Sequence, residues 1–223
     1  MNTNISLLII ELILCYIMII LLYKKLKIDG MYYYIVLVSI LSNLMSLKTI
    51  ELYEFNINLG LVSFTTIFVT SNIIVQKKGQ DEIKKLILTL IPSIIIGYII
   101  LYLVSIMKYS EINAFTSASY NNIFLESPRI YFANIVTILY SVFLNSKLYF
   151  YLKKEKNHIW LSNIFSSIII QFIASILFSF LAFAITTEII EIIKIMIIRY
   201  AISLIICFVG TIIIYITNSI KER

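Results

Sequence analysis

The sequence has few of the residues on which soluble enzymes and secreted domains depend. Its 223 residues include 5 Gly, 2 Pro, 2 Cys and 1 His, and only 13% are Asp, Glu, Lys or Arg. A single His cannot build a metal site, and acid–base catalysis has almost no candidates. Cys15 and Cys207 lie inside apolar runs, so no disulfide framework is implied. The sequence therefore predicts no enzyme, no metal and no cofactor.

What the chain has instead is apolar residues, which make up 61% of it, with a mean hydropathy of +0.98. A soluble core of this size has no use for so much apolar surface, so the excess is expected to face a bilayer. A membrane helix needs about 20 mainly apolar residues. The sequence contains seven such runs, at 4–23, 31–50, 57–76, 86–106, 127–152, 159–186 and 191–217. With no internal repeat or linker, residues 1–223 are predicted to form a single all-α transmembrane domain of seven helices.

Positive charge alternates along the connections between these runs. The loops after the odd-numbered runs carry the basic residues, namely Lys24, Lys25, Lys27, Lys77, Lys78, Lys84, Lys85, Lys153, Lys154, Lys156, Lys221 and Arg223. The other loops hold almost none. The positive-inside rule then puts the N-terminus outside and the C-terminus in the cytoplasm of a cell whose plasma membrane the chain spans several times. The net charge of +6 is thus a topology signal and not a sign of nucleic-acid binding.

Ionisable residues inside membrane spans are expensive and suggest function. Glu11 and Arg199 each lie roughly a third of the way in from the outer face, counting 1.5 Å per residue. We hypothesise that they form an ion pair, which serves either function or packing alone. Lys48 and Arg129 lie near the outer ends of their helices, where they either line an entrance or extend to the headgroups.

A set of neutral amides lies in the same predicted helices. Amides in hydrocarbon need partners, so they either bond one helix to another or line a cavity. The set is Asn43, Asn72, Gln76, Asn145, Asn163 and Gln171. Four members fall at one depth near the cytoplasmic side, and together with Lys48 and Arg129 we take the whole set as candidate substrate-binding residues.

At these positions the chain resembles the VUT family of vitamin uptake transporters, which includes queuosine precursor transporters. The resemblance runs from about residue 4 to 218. It is carried by SNLMSLK (42–48), NLGLVSFTTIFVTSNIIVQKKGQDEIKK (58–85), SPRIYFANIVTILYSVFLNSKLYFYLKK (127–154) and HIWLSNIFSSIIIQFIASILF (158–178). It implies a six-helix core, similar to the substrate-binding subunits of energy-coupling-factor transporters, preceded by one more helix.

The chain departs from the family pattern mainly where that pattern places buried charges. Asn72, Gln76 and Asn145 stand where the family usually has acidic residues. Further replacements are Ser162, Ile164, Ala174, Ser203, Gly210, Thr211 and Ile212. Opposite charges lost together leave no unpaired ion, so the fold is expected to survive. An amide binds ligand donors less strongly than a carboxylate, so substrate choice is expected to be affected.

The resemblance and the polar residues together predict a transporter for a small, neutral or weakly charged molecule, such as a queuosine precursor of the 7-deazaguanine type. Two alternatives stay open: a substrate-binding subunit that docks on an energy-coupling partner, and a degenerate paralogue that transports nothing. A homo-oligomer is equally open. Partners are therefore a small-molecule substrate and the lipid bilayer, with no nucleic acid.

Overall fold

The protein is described by a computed structural model, which covers residues 3–52, 55–108, 119, 128–156 and 158–220. Within these residues the chain forms six helices and one β-hairpin. The helices are α1 (Thr3–Met45), α2 (Leu61–Lys78), α3 (Glu82–Ile106), α4 (Pro128–Lys156), α5 (Ile159–Phe183) and α6 (Ile189–Ser219). The strands are β1 (Thr49–Leu52) and β2 (Phe55–Asn58). The structure is 87% helical, which agrees with an all-α membrane protein.

Helix α1 is broken at Lys27, where φ is 54° and ψ is −131°. The break folds the helix back on itself, because Ser63 of α2 contacts both Glu11 from one arm and Met45 from the other. At the turn, Gly30 lies so close to the backbone of Leu22 that an added Cβ would come within 2.6 Å of its carbonyl oxygen. The two arms of α1, residues 3–26 and 28–45, therefore pack side by side as an antiparallel pair.

Helix α2 forms the centre of the bundle. Every residue from Leu61 to Val75 is buried, although the helix is rich in Ser and Thr. Their hydroxyls bond back to carbonyls of the same helix, as Thr65 does to Leu61 (2.8 Å) and Thr70 does to Thr66 (2.9 Å). Such bonds satisfy polar side chains within an apolar bundle, and the Thr65 hydroxyl also contacts that of Ser203 on α6 (3.2 Å).

The helices around α2 expose apolar side chains on their outer faces. In the part of the chain that the structure describes, five helices are long and apolar enough to cross a membrane: α1, α3, α4, α5 and α6. Their exposed surfaces carry large side chains such as Leu88 (71% exposed) and Ile205 (62%). A soluble protein rarely leaves so much apolar surface open, so this belt is suited to lipid.

The structure differs from the sequence-based expectation at the start of α2. The helix predicted to end at residue 50 ends at Met45, and residues 49–52 and 55–58 form an antiparallel strand pair in which Thr49 pairs with Asn58 and Leu52 with Phe55. Leu52 and Ile57 are buried against Leu61, so alternating apolar residues favour strands over a plain loop here. The helix consequently begins at residue 61 and not at 57. Most of the predicted loop 107–126, and Lys221 and Arg223, lie outside the described residues.

Candidate functional site

Side-chain contacts identify the two ends of the bundle. At one end Arg129 of α4 donates from Nη2 to the Thr186 hydroxyl, beyond the end of α5 (2.7 Å). At the other end Lys153 of α4 donates to the carbonyl of Gln76 on α2 (3.4 Å). We call these the Arg129 end and the Lys153 end. Lys77 also lies at the Lys153 end, where it donates to the carbonyl of Asn218 (3.3 Å).

A hydrogen-bonded cluster of amides joins four helices toward the Lys153 end. Asn145 of α4 donates to Asn72 of α2, and Asn72 donates to Asn163 of α5, both at 2.8 Å. Asn163 in turn donates to Thr211 on α6 (2.8 Å) and to the carbonyl of Cys207 (3.1 Å). We call Asn72, Asn145, Asn163 and Thr211 the amide layer. The three asparagines are all 0% exposed, so the layer closes the middle of the bundle at this depth.

Gln76 extends the amide layer toward the Lys153 end. Its side-chain oxygen accepts a bond from the Tyr149 hydroxyl at 2.7 Å. Tyr149 is fully buried and packs with Val75 and Ile83. The predicted set at one depth is thus brought together: Asn72, Asn145 and Asn163 directly, and Gln76 one turn away on α2.

A second group of buried polar atoms lies toward the Arg129 end, and its members have no hydrogen-bond partner among the described residues. The group consists of Asn134 Nδ2, Thr137 Oγ1, Ser175 Oγ, Ser179 Oγ and Arg199 Nη2. We call it the unpaired layer. Helices α4 and α5 are antiparallel, since Ala133 packs with Phe178 and Ala182. This packing places the α4 and α5 members in the same part of the bundle.

The two polar groups differ in a way that bears on ligand binding. A buried polar atom left without a partner costs about 1–3 kcal/mol, and more when it is charged. The amide layer reduces that cost because its members bond to one another, and Asn145 Oδ1 is its one atom without a partner among the described residues. The unpaired layer does not, so it has donors and hydroxyls available for water or a ligand.

Arg199 is the charged member of the unpaired layer. It is 3% exposed, and its guanidinium carbon lies 3.8 Å from the centre of the Phe178 ring and 4.9 Å from that of Phe64. Desolvated contacts of this kind stabilise a cation by about 2 kcal/mol or more. Moving a charge out of water costs several kcal/mol, so the two rings offset only part of the penalty.

Glu11 and Arg199, the predicted ion pair, are engaged separately. Glu11 accepts a hydrogen bond from the Ser63 hydroxyl at 2.6 Å. The salt bridges among the described residues join Lys85 to Glu82 and Lys194 to Glu191. The structure therefore does not bring Glu11 and Arg199 together as a pair: Glu11 binds Ser63, whereas Arg199 lies against the rings of Phe64 and Phe178.

The other predicted site residues are scattered. Lys48 is exposed and lines an open pocket of about 210 Å³ with Glu11 and Met45. Asn43 donates to Ser39 of its own helix (2.7 Å), and its side-chain oxygen is unpaired beside a cavity of about 10 Å³, the size of one water. Gln171 donates to the sulfur of Cys207 (3.7 Å), a weak bond that does not join the amide layer.

Sequence reasoning missed most of the unpaired layer. On α4 the buried polar residues recur at Asn134, Thr137, Ser141 and Asn145, and on α5 they recur every four residues. The α5 positions are Ser167, Gln171, Ser175 and Ser179. Residues spaced by three or four share one face of a helix. The polar stripe on each of these two helices is therefore the sequence signal that locates the unpaired layer.

A family model described as "Putative vitamin uptake transporter" matches residues 58–217. The chain belongs to this family. No curated protein and no solved structure matches the chain. The expected likeness to the substrate-binding subunits of energy-coupling-factor transporters therefore stays a prediction.

The region that matches the vitamin uptake transporter family includes both polar layers. The matched residues run from the end of β2 to the last turns of α6, so they include the whole amide layer, the whole unpaired layer and both aromatic rings that contact Arg199. Family membership and the apolar helices together identify a multi-pass membrane protein of a transporter family. Helix α1, which forms the packed pair of arms, lies before the matched region.

Proposed function

We propose that this protein carries a small molecule of the queuosine precursor type, a 7-deazaguanine, across the cytoplasmic membrane. The observation that carries the proposal is the unpaired layer: a set of buried polar atoms without partners, inside a bundle whose outer face suits lipid. Family membership supplies the class of activity. Small-molecule sites combine apolar surroundings with a few polar groups that fix the ligand's orientation, and the unpaired layer has such groups together with the rings of Phe64 and Phe178.

The chemistry of a 7-deazaguanine suits the groups that the unpaired layer has available. The base has a ring carbonyl that accepts hydrogen bonds and N–H groups that donate them. Arg199 and the Asn134 amide nitrogen are donors, whereas Thr137, Ser175 and Ser179 have hydroxyls that serve as either. A flat ligand of this kind is also partly apolar, which fits neighbours such as Phe64 and Phe178.

The two polar layers suggest how passage is controlled. In the proposed cycle the ligand enters from the Arg129 end and binds at the unpaired layer, while the amide layer below it is closed. Release toward the Lys153 end requires Asn72, Asn145 and Asn163 to exchange their mutual bonds for bonds to water or ligand. Bonds between neutral amides are weak enough, at about 0.6 kcal/mol each in membranes, for such an exchange to be reversible.

We propose seven crossings, made by the two arms of α1 and by α2 to α6. Helix α2 is not among the five helices that are long and apolar enough to cross a membrane, but its residues from Leu61 to Val75 are buried by the other helices, which removes the need for an apolar surface. The Lys153 end is assigned to the cytoplasm, because Lys27, Lys78 and Lys85 line one pocket there. Thiol labelling of single cysteines introduced at Lys24 and Lys194 in intact cells tests this orientation. A membrane-impermeant reagent should label position 194, which is assigned to the outside, and not position 24. Labelling at position 24 and not at 194 would contradict the assignment.

Restoration of a modified tRNA tests the proposed function. In a host that requires queuosine precursors and cannot make them, expression of this chain should restore queuosine in tRNA when 7-deazaguanine-type precursors are supplied. An empty vector is the matched control, and a C-terminal tag reports the amount of membrane-inserted protein. Correctly inserted protein without restoration would remove this substrate. Uptake by proteoliposomes that contain only this chain shows whether it needs an energy-coupling partner.

A further inference from the structure

Arg199 is a buried cation with no ion pair or hydrogen bond among the described residues. Two aromatic rings cover part of its guanidinium, at 3.8 Å for Phe178 and 4.9 Å for Phe64. Its Nη2 is enclosed and unpartnered. Intramembrane cations normally pair with acids or backbone carbonyls, and those that do not are expected to serve a ligand.

The surroundings of Arg199 supply further unpaired groups of the right kind. Ser175 lies three residues before Phe178 on α5 and shares a helix face with it, and Ser179, four residues after Ser175, is the next residue along the face of Ser175. Both hydroxyls are buried (1% and 0% exposed) and unpartnered. Such hydroxyls commonly bond back to their own helix, as Thr65 does in α2. Their failure to do so here leaves two more groups free for the same ligand.

From this arrangement we infer that Arg199 is the substrate-anchoring residue, and that the ligand presents an oxygen acceptor to it, either a ring carbonyl or a carboxylate. The hydroxyls of Ser175 and Ser179 bind beside that oxygen. The inference rests on the proposed function and narrows its substrate class to oxygen-bearing compounds. It also gives the binding role to a residue that the sequence had suggested for an ion pair with Glu11.

The alternative role for Arg199 is purely structural, and the two roles predict opposite effects of removing its charge. A structural cation is part of the packing, so its loss destabilises the empty protein. An unpaired buried cation kept for a ligand destabilises the empty protein by its presence. Replacement by Met, which is long, flexible and apolar, should therefore leave the thermal midpoint of the empty protein unchanged or higher.

Ligand binding to the purified full chain in detergent micelles tests the inference with three probes. The first is 7-deazaguanine, and the second is 7-deaza-2,6-diaminopurine, in which an amino group replaces the carbonyl oxygen. The third is nicotinate, a flat ring that bears a carboxylate. The variants are Arg199→Met and Arg199→Lys, and Lys194→Met is the matched control, because it removes a cation from the same helix at an exposed position.

We expect wild type and Lys194→Met to bind 7-deazaguanine about 10-fold or more tightly than the diamino compound, and Arg199→Met to lose about 10- to 100-fold in affinity. Arg199→Lys should keep part of the affinity, since a point charge replaces a planar fork. Binding of nicotinate in place of 7-deazaguanine, lost in Arg199→Met, would support the anchoring role and remove the queuosine precursor as substrate.

Three results would overturn the inference. The first is Arg199→Met with wild-type affinity, which would leave the proposed function standing. The second is a pair of results: Arg199→Met does not fold, and Arg199→Lys keeps the wild-type preference for 7-deazaguanine over the diamino compound. The third is wild type that binds none of the probes, which would remove the proposed substrate as well.

Discussion

The amide layer gives the most direct test of how the helices are held together. Asn72 bridges two neighbours, since it accepts from Asn145 and donates to Asn163, each at 2.8 Å. Interhelical side-chain bonds in membrane proteins average about 0.6 kcal/mol and reach about 1.7. Removing both with Asn72→Ala should therefore lower the free energy of unfolding by about 1–3 kcal/mol.

A double-mutant cycle isolates one of these bonds. Asn72→Ala, Asn145→Ala and the double variant should give a coupling energy of about 0.6–1.7 kcal/mol for the pair. The measurement is unfolding of the purified chain by SDS in mixed micelles. Ser71→Ala is the matched control: it is adjacent and fully buried, and its hydroxyl bonds only to Phe68 of its own helix (2.8 Å).

The control is expected to change stability by no more than about 0.5 kcal/mol, because the bond it removes is local. A coupling energy near zero between Asn72 and Asn145 would refute the amide layer as an interhelical joint. A control as damaging as Asn72→Ala would show that the loss reflects packing in α2 in general and not these bonds.

Three further predictions concern packing and charge. Gly210→Ala should destabilise the bundle by about 1–3 kcal/mol in the same unfolding assay, because an added Cβ would clash with the side chain of Val69. Gly97→Ala, where the nearest atom to the new Cβ is 3.4 Å away, should be tolerated. Gly79→Ala should cost about 1 kcal/mol, since φ is 88° there and no atom lies within 4 Å of the new Cβ. Glu11→Ala and Arg199→Met should have additive effects on folded yield, because the two residues do not contact each other. A double variant with a higher folded yield than either single variant would instead support the predicted ion pair.

The helices themselves were predictable because their apolar length is a sufficient signal. The sequence places the membrane helices within a few residues of their observed bounds, and it anticipates the break near Lys27, which falls between the first two predicted runs. It also places Asn72, Asn145 and Asn163 at one depth by counting residues along each helix. The depth of a residue in the membrane changes by a fixed rise per residue along a helix, so depth can be predicted from the sequence.

Rotation about the helix axes and the choice of partners were not predictable in the same way. Glu11 and Arg199 were placed at similar depth, yet one contacts Ser63 and the other lies over Phe64 and Phe178. The polar stripes on α4 and α5 can be recognised in the sequence, but which of their hydroxyls lack a partner cannot. A serine in an apolar helix normally bonds to its own backbone, and nothing in the sequence distinguishes Ser175, which does not, from Thr70, which does.

Ligand protection of a single cysteine tests the central claim, that a small molecule occupies the unpaired layer. In a chain whose Cys15 and Cys207 are replaced by Ala, Ser175→Cys should react with a small thiol reagent, and 7-deazaguanine should slow that reaction. Ser162→Cys, on the same helix at the Lys153 end, should show no such protection. Equal rates at Ser175→Cys with and without 7-deazaguanine, in protein that binds it, would contradict the account.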